Sequence, residues 1–479
     1  MDNEIIKEGM KIIDAHFKSE GISRRDALKI FGVGGTASLM TSITTTEIRA
    51  SVAKGKILII GGGLSGMATA SRLNSSLDDS DITIIEPLDI SSSYQPGQTL
   101  VAGGIWDIDD IKYNTADFIP DGVTIIKDRA VEFNPDNNSV KLASGDVIKY
   151  DFMVVASGLK LDFSKIKGLG VEKSISSLGE HTNVSKTVGQ NGITSIYYQQ
   201  GAKDTWIEMQ KFINDAKSGK EVKALFTEPN TPIKCSGTPK EIIYLTDARL
   251  RDANSRENAE LTFYSHSEKL FEIKDYHNAI NSQFKERDFK WNNNHNLIEV
   301  DVDKKIATFD KHSNVKGSEN EKVEVPFDFL HITPPMVAVE EIANSPIGSS
   351  KGWIPVDKET LRHTKYKNIF ALGDIADVPM GKTGGSIRKQ YVVVVENLIA
   401  TMEGKEMTAK YDGYTVCPII TSIGTVMLAE FNWASKELGD GVNAVSFPLD
   451  PTKERWIWWL LKTYLLKPMT QFGMLSGRA

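Results

Sequence analysis

The chain has 479 residues, a formal net charge of −7 and a sequence pI near 5.8. This length predicts two or three domains, and hydrophobic residues make up 40%, enough to bury a sizeable core. The acidic balance argues against a nucleic-acid partner, because no basic excess is present to neutralise phosphates. With two cysteines and eight histidines that lack metal-ligand spacing, neither a disulfide scaffold nor a metal site is expected.

The N-terminal residues 1–53 are predicted to be a targeting leader. Arg24 and Arg25 precede a weakly apolar stretch from Ile30 to Thr46, a pattern that resembles a twin-arginine export signal. It predicts a peripheral protein on the periplasmic face of a bacterial cytoplasmic membrane. The alternative is an ordinary amphipathic leader in which the paired arginines are a coincidence.

A strand and a glycine-rich turn come next. The aliphatic run Lys56 to Ile60 precedes three glycines whose spacing is typical of a dinucleotide-binding turn. The helix that follows offers its N-terminal N–H groups to phosphates. A second strand ends in Glu86, twenty residues after the last glycine, where a carboxylate accepts from ribose hydroxyls. The dinucleotide contacts expected here are Gly61, Gly63, Leu64, Ser65, Gly66 and Glu86.

Two later segments indicate that the dinucleotide is FAD. Tyr150 to Gly158 reads as a buried strand that ends in a small-residue turn, and Asn368 to Asp377 reads as a strand followed by Gly373 and Asp374. The first resembles the crossover that returns the chain to an FAD domain, and the second resembles a flavoprotein segment in which the aspartate after the glycine binds the ribityl chain. The FAD domain is therefore predicted to be discontinuous, and Gly158, Gly373 and Asp374 join the expected contacts.

Between these segments the pattern predicts a second dinucleotide-binding fold that has lost its ligand. The strand Val222 to Phe226 and the helix Lys240 to Arg251 have the expected order. The loop between them has three prolines and one glycine, too stiff to wrap a pyrophosphate closely. It carries Cys235 instead, so a nicotinamide is not the expected electron donor.

The two cysteines, Cys235 and Cys417, lie far apart in sequence. Count alone favours a structural disulfide or two unrelated buried thiols. Their surroundings point elsewhere, because several long segments resemble the sulfide:quinone oxidoreductases, especially the subgroup that includes the mitochondrial enzyme. These segments are TPIKCSGTPKEIIYL, YDGYTVCPIITSIGTVMLAEF, SYQPGQTLVAGGIW, HITPPM and GWIPVDKETL, and the likeness covers the chain from Lys56 to Gly477.

The resemblance implies roles for particular residues. Cys235 and Cys417 would be the redox pair facing the flavin, and Lys382 would be a catalytic cation that also contacts the flavin. Gln98 would be a cofactor contact, in a segment that resembles a flavin-shielding loop. The implied partners are hydrogen sulfide, ubiquinone or menaquinone, and a membrane surface, and a homo-oligomer is left open. Which cysteine carries the persulfide, and what accepts the sulfur, also stay open.

The C-terminus predicts a helix that lies on a membrane. Trp456 to Leu466 is strongly apolar but interrupted by Lys462, and it is too short to cross a bilayer. Pro468 is expected to end this helix. The alternative is a helix packed on the protein's own core.

The predicted fold class is α/β, with two Rossmann-like domains, the first discontinuous and the second degenerate, and an amphipathic C-terminal region. The predicted divisions are a leader over 1–53, an FAD domain over 54–160 and 356–405, a second domain over 161–355, and a C-terminal region over 406–479. The alternative function is the flavoprotein subunit of a flavocytochrome c sulfide dehydrogenase. A type II NADH dehydrogenase is disfavoured, because the second glycine fingerprint is missing.

Overall fold

The computed structural model describes residues 51–88, 94–177, 183–313, 319–438 and 449–478. The predicted twin-arginine leader lies almost entirely outside these ranges. The strands are β1 (Lys56–Ile60), β2 (Asp81–Ile85), β3 (Thr124–Ile126), β4 (Ala130–Asn134), β5 (Ser139–Leu142), β6 (Val147–Lys149), β7 (Phe152–Val155), β8 (Lys160–Leu161), β9 (Ile175–Ser176), β10 (Ile193–Thr194), β11 (Val222–Glu228), β12 (Ala259–Ser265), β13 (Lys290–Asn292), β14 (His295–Asp301), β15 (Ile306–Lys311), β16 (Glu321–Pro326), β17 (Phe329–His331), β18 (Met336–Val337), β19 (Ile369–Ala371), β20 (Thr415–Ser422) and β21 (Thr425–Phe431).

The helices vary from short turns to 19 residues. They are α1 (Leu64–Ser76), α2 (Gln98–Ala102), α3 (Gln199–Lys217), α4 (Thr238–Asp252), α5 (Lys274–Glu286), α6 (Glu340–Ala343), α7 (Gly384–Met402), α8 (Trp433–Leu438), α9 (Trp456–Leu460) and α10 (Leu466–Pro468).

The first sheet has the strand order β19-β7-β1-β2-β3, with every pair parallel. In β1 only Lys56 is exposed, because a strand in the middle of a parallel sheet is covered on both faces and needs a continuous aliphatic run. Strand β19 follows the second sheet in sequence but pairs with β7 of the first. The first domain is therefore built from two separate stretches of chain, which confirms that it is discontinuous.

The second sheet has the order β10-β17-β11-β12-β13 and is also parallel. Strand β11 and helix α4 occupy the places predicted for the strand and helix of a second Rossmann-like unit. Three-stranded antiparallel sheets accompany the two parallel ones in the described ranges. The α/β fold class is confirmed, and the exact domain limits stay predictions.

The C-terminal region begins with an antiparallel hairpin, β20 and β21, that packs against α4 and α7. Helix α9 then packs on β21. The last turns reach helix α1, where the Ser71 hydroxyl donates to the Leu475 carbonyl at 2.7 Å. This region is therefore built into the fold.

The expected helix end at Pro468 is wrong. The chain stays helical from Trp456 to Met474 and widens into π-type turns over Leu461–Leu465 and Met469–Met474. A proline ring normally clashes with the carbonyl four residues earlier, and a wider turn relieves that clash. Proline therefore changes the pitch of this segment without ending it.

Lys462, which interrupts the apolar stretch, faces the protein. This side chain is 3% exposed and bonds to Glu241 of α4. The exposed large apolar side chains of the segment are those of Tyr464 and Phe472. Across the described ranges, no helix is both long enough and apolar enough to cross a bilayer.

A matched pair of alanine substitutions tests whether the C-terminal segment packs on the rest of the protein. Leu475 is 1% exposed and Phe472 is 72% exposed. We expect Leu475→Ala to lower the free energy of unfolding by about 2–5 kcal/mol, because a buried leucine leaves a cavity. Phe472→Ala should change it by less than about 0.5 kcal/mol. Urea unfolding of the two variants tests this, and equal effects would contradict a docked segment.

Candidate active site

A cavity of about 640 Å³ extends from the glycine-rich turn to the C-terminal segment. Its wall contains both cysteines and most of the residues that the sequence singled out for a cofactor. The predicted site residues on this wall are Gly61, Gly63, Leu64, Ser65, Glu86, Gly158, Cys235, Asp374, Lys382 and Cys417. The fold thus collects residues from both sheets and from the hairpin into one site.

The glycine-rich turn has the shape that a pyrophosphate requires. Gly61 has a φ of +105°, and a Cβ there would lie 2.6 Å from the Ala156 carbonyl oxygen. A Cβ at Gly63 would meet nothing within 4 Å, so this side of the turn is open. Helix α1 begins directly after Gly63, and its first N–H groups would offer their partial positive charge to a phosphate.

Glu86 lies on the cavity wall, directly after β2. The side chain is 7% exposed, and its two oxygens accept from the backbone N–H groups of Gly62 at 2.7 Å and Leu88 at 2.9 Å. Burial raises the pKa of this carboxyl, although both hydrogen bonds oppose the shift. A rigid, buried carboxyl at this place suits the recognition of ribose hydroxyls, so the site fits a dinucleotide.

Three predicted cofactor contacts lie behind the cavity wall instead of on it. A Cβ at Gly66 would lie 1.9 Å from the Gly61 carbonyl oxygen, so Gly66 permits close packing of helix on turn. Gly373 has a φ of +73° and packs against the Ser65 hydroxyl, where a Cβ would come within 2.4 Å. Gln98 is 4% exposed and lies outside the lining. The first two support the site through the backbone.

Cys235 lies on the loop between β11 and α4 in a left-handed conformation with a φ of +51°. Such a conformation is costly for a residue with a Cβ and occurs where surrounding contacts enforce it. The Cys235 N–H donates to the carbonyl of Lys382 at 3.0 Å, and its carbonyl accepts from the Thr238 N–H at 2.9 Å. The backbone therefore ties Cys235 to Lys382. Burial, followed by the charge of Cys417, raises the pKa of the Cys235 thiol to about 12.

Cys417 lies on β20 and is 5% exposed. Its sulfur accepts a hydrogen bond from the N–H of Gly237, the residue directly before α4. A Cβ at Gly237 would lie 2.7 Å from this sulfur. Burial raises the pKa of the Cys417 thiol to about 11, and Glu241 acts in the same direction. Lys462, the Gly237 N–H and Lys240 oppose the shift. Both cysteines are free thiols in this structure.

Lys382 lies next to the Cys235 loop, and backbone carbonyls and an aromatic ring hold its side chain. Its ammonium donates to the carbonyls of Asp374 and, at 3.3 Å, Ala376, and it lies 3.9 Å from the centre of the Trp353 ring. Burial lowers the pKa of this ammonium, and the carboxylates of Asp374 and Asp377 oppose the shift. These contacts orient a cation toward the cavity, unlike a freely solvated loop lysine.

Sequence reasoning missed several polar residues on the cavity wall. Lys234 is 3% exposed beside Cys235, and burial lowers the pKa of its ammonium. Its position next to a cysteine was a usable signal, since cations favour thiolates. Glu241 and Lys462 form a buried ion pair, while the Tyr414 hydroxyl donates to Glu430. The first pair joins distant segments and the second crosses the β20–β21 hairpin, so no local pattern identified them.

The close approach of Gly237 to Cys417 leads to a prediction. Gly237→Ala would place a methyl group against the Cys417 sulfur and against Ile419, also at 2.7 Å. We expect it to lower the free energy of unfolding by about 1–3 kcal/mol through overpacking. As a control, Gly384→Ala should cost little, because a Cβ there meets nothing nearer than 3.8 Å. Urea unfolding measures both, and equal stability of the two variants would refute the close packing.

Comparison with known proteins places these features in context. The chain is similar to the mitochondrial sulfide:quinone oxidoreductase of Mus musculus, with 36% identity over 422 residues that cover 88% of this chain and 86% of the relative. It is 37% identical to the mitochondrial sulfide:quinone oxidoreductase of Dictyostelium discoideum, over 88% of this chain and 86% of the relative. No protein-family model matches the chain.

A solved structure shares the fold. The sulfide:quinone oxidoreductase of Aquifex aeolicus superposes with a TM-score of 0.68 at 18% identity, over 89% of this chain and 92% of that chain. The expectation of a bacterial periplasmic location is wrong, because the relatives with 31–37% identity over 85–88% of this chain are mitochondrial enzymes.

The same relatives favour a sulfide:quinone oxidoreductase over the flavocytochrome c alternative. They also show that the chain is an oxidoreductase. Because the sequence identity exceeds 30% over most of this chain and most of each relative, the chain belongs to the sulfide:quinone oxidoreductase family.

Proposed function

We propose that this protein binds FAD, oxidises hydrosulfide at Cys235 and Cys417, and passes the electrons to a membrane quinone. The observation that carries the proposal is the single cavity that both cysteines, Lys382 and the glycine-rich turn share. FAD fits the open turn at Gly63 and the buried carboxyl of Glu86. When bound, it accepts two electrons from the cysteine side and returns them to a quinone.

The sulfur step uses the cysteines in their oxidised, bridged state. Hydrosulfide forms a bond to one cysteine sulfur, and the bond between that sulfur and its bridging partner breaks. The electron pair of the broken bond leaves on the other cysteine as a thiolate. The sulfane sulfur stays as a persulfide until a second nucleophile removes it. This exchange conserves atoms and electrons, and it needs a site that can hold a thiolate.

The residues around the cysteines support that requirement. The N–H of Gly237 points at the Cys417 sulfur and can stabilise negative charge there. The oriented ammonium of Lys382 provides a cation at the cavity wall that would stabilise a reduced, anionic flavin. The roles of Cys235, Cys417 and Lys382 as catalytic residues form part of the proposal.

A nicotinamide donor is disfavoured by what occupies the second Rossmann-like unit. The N-terminus of α4, which a dinucleotide-binding domain offers to pyrophosphate, here faces the sulfur of Cys417. Beneath the loop, Lys240 is 1% exposed and forms an ion pair with Glu228 at the carboxyl end of β11. A side-chain ion pair thus fills a place that such domains keep open for a ligand.

Anaerobic titration of the flavin tests the proposed chemistry. Sulfide should bleach the flavin of the wild-type protein, and a soluble quinone should restore it, whereas NADH should leave it oxidised. Cys235→Ser and Cys417→Ser should each keep bound FAD but slow the bleaching by at least about a thousandfold, because covalent sulfur exchange is lost. Bleaching at the wild-type rate in either variant, or rapid bleaching by NADH, would refute the assignment.

We further propose that the C-terminal segment contacts the membrane through Tyr464 and Phe472, which are 66% and 72% exposed. Aromatic rings suit the headgroup region, where one part of the ring is buried and the other stays wet. The opposite face of the segment lines the cavity through Leu466, Met469 and Met474. A quinone could then pass from the bilayer to the site along apolar side chains.

Substitution of the exposed aromatic pair measures this contact. Tyr464→Asp together with Phe472→Asp should reduce co-sedimentation with phosphatidylcholine vesicles at least about tenfold, since burying one large apolar side chain contributes about 1.5–3 kcal/mol. Bleaching by sulfide should persist, while turnover with vesicle-embedded ubiquinone should fall. The control is Val147→Asp on β6, which is 56% exposed and distant in sequence. Equal sedimentation of variant and control would reject the contact.

A further inference from the structure

One buried ion pair on the cavity wall has no role in the chemistry described so far. The Lys462 ammonium bonds both carboxylate oxygens of Glu241, at 2.8 and 2.7 Å, and both side chains are 3% exposed. Burying two charges costs much of what their attraction contributes, so such a pair is weak evidence for a purely stabilising role. Its position indicates what else it does.

The pair joins the elements that carry the two cysteines. Glu241 lies in the first turn of α4, directly after the Cys235 loop, and its N–H bonds the carbonyl of Gly237. Lys462 makes a third hydrogen bond, at 2.9 Å, to the carbonyl of Pro418, the residue after Cys417. The ammonium therefore links the C-terminal segment to α4 and to β20 at the same point.

We propose that Glu241 and Lys462 are positioning residues of the sulfur site, which hold the two cysteine-bearing elements together and balance the charge beside the Cys417 sulfur. The C-terminal segment thereby supplies a cation to the active site in addition to any membrane contact. The inference rests on the proposed function to the extent that Cys417 is a reacting sulfur.

The charges around Cys417 show why the pair must be balanced. Glu241 disfavours a thiolate on Cys417, whereas Lys462 and Lys240 favour one. Cys235 and Tyr197 also interact electrostatically with this sulfur. Lys240 is already paired with Glu228. Loss of one member of the Glu241–Lys462 pair therefore leaves its partner's charge uncompensated beside the sulfur.

The two single substitutions should act in opposite directions. In the full-length, FAD-loaded Cys235→Ser protein, alkylation of Cys417 by iodoacetamide is followed against pH. Lys462→Met removes the cation and should raise the apparent pKa of the Cys417 thiol by about one unit, a tenfold slower reaction at a fixed pH below it. Glu241→Gln removes the anion and should lower that pKa by a similar amount. The double variant should return toward the parent profile.

Two further variants separate charge from packing. Lys462→Arg keeps the cation and should leave the profile close to that of the parent, even if its geometry differs. Lys467→Met makes the same lysine-to-methionine change in the next turn, outside the cavity lining, and should not move the profile. If Arg at position 462 shifts the profile as far as Met does, charge is not the cause and the proposal is overturned.

The remaining outcomes are equally decisive. Shifts of the same sign in both single variants, or unmoved profiles in folded protein, would overturn the proposal. If a single variant does not fold, the double variant, in which no charge is left unpaired, and Lys462→Arg still test it through the same profile. Alkylation uses neither sulfide nor quinone, so a negative result here leaves the proposed function standing, and failed sulfide oxidation leaves this test valid.

Discussion

The contact between the backbone of Gly237 and the sulfur of Cys417 is the constraint on which the site depends. It forces the hairpin β20–β21 to lie against the N-terminus of α4, with room for a hydrogen atom but not for a methyl group. The same contact aims a backbone N–H at the sulfur. Because Cys235 lies two residues before Gly237, this one approach brings both cysteines to the same cavity.

Burial of the cysteines disfavours their thiolate forms, and nearby charges and dipoles oppose that effect at Cys417. Removal from water raises the pKa of both thiols well above their ordinary value, so the reduced pair is protonated at neutral pH. A thiolate then depends on the charges and dipoles that the fold places nearby. The Gly237 N–H and the buried cations of α4 and the C-terminal segment act in that direction, while Glu241 limits the effect. The site is therefore governed by a small number of fixed groups.

The C-terminal segment has two faces with different surroundings. Ile457, Trp458, Leu461 and Leu475 are buried on the protein, and Lys462 is held in its ion pair. Tyr464 and Phe472 extend outward. A sequence rich in tryptophan, tyrosine and lysine was read as a surface-lying membrane helix with an internal packing alternative. The structure shows one face docked on the protein and the other exposed, and membrane contact of the exposed face stays a proposal.

Short-range patterns in the sequence determined the elements of this protein. Three patterns extend over only a few residues each, so the sequence alone predicts them: the aliphatic run of β1, the spacing of Gly61, Gly63 and Gly66, and the proline-rich Cys235 loop. Tertiary structure decided what these elements meet. Which residue Lys462 bonds, whether Gln98 reaches the cavity, and whether Pro468 ends a helix depend on packing between distant segments. A residue's partners across the fold are set by how whole elements stack and by which charges can be desolvated together, and no local pattern encodes that.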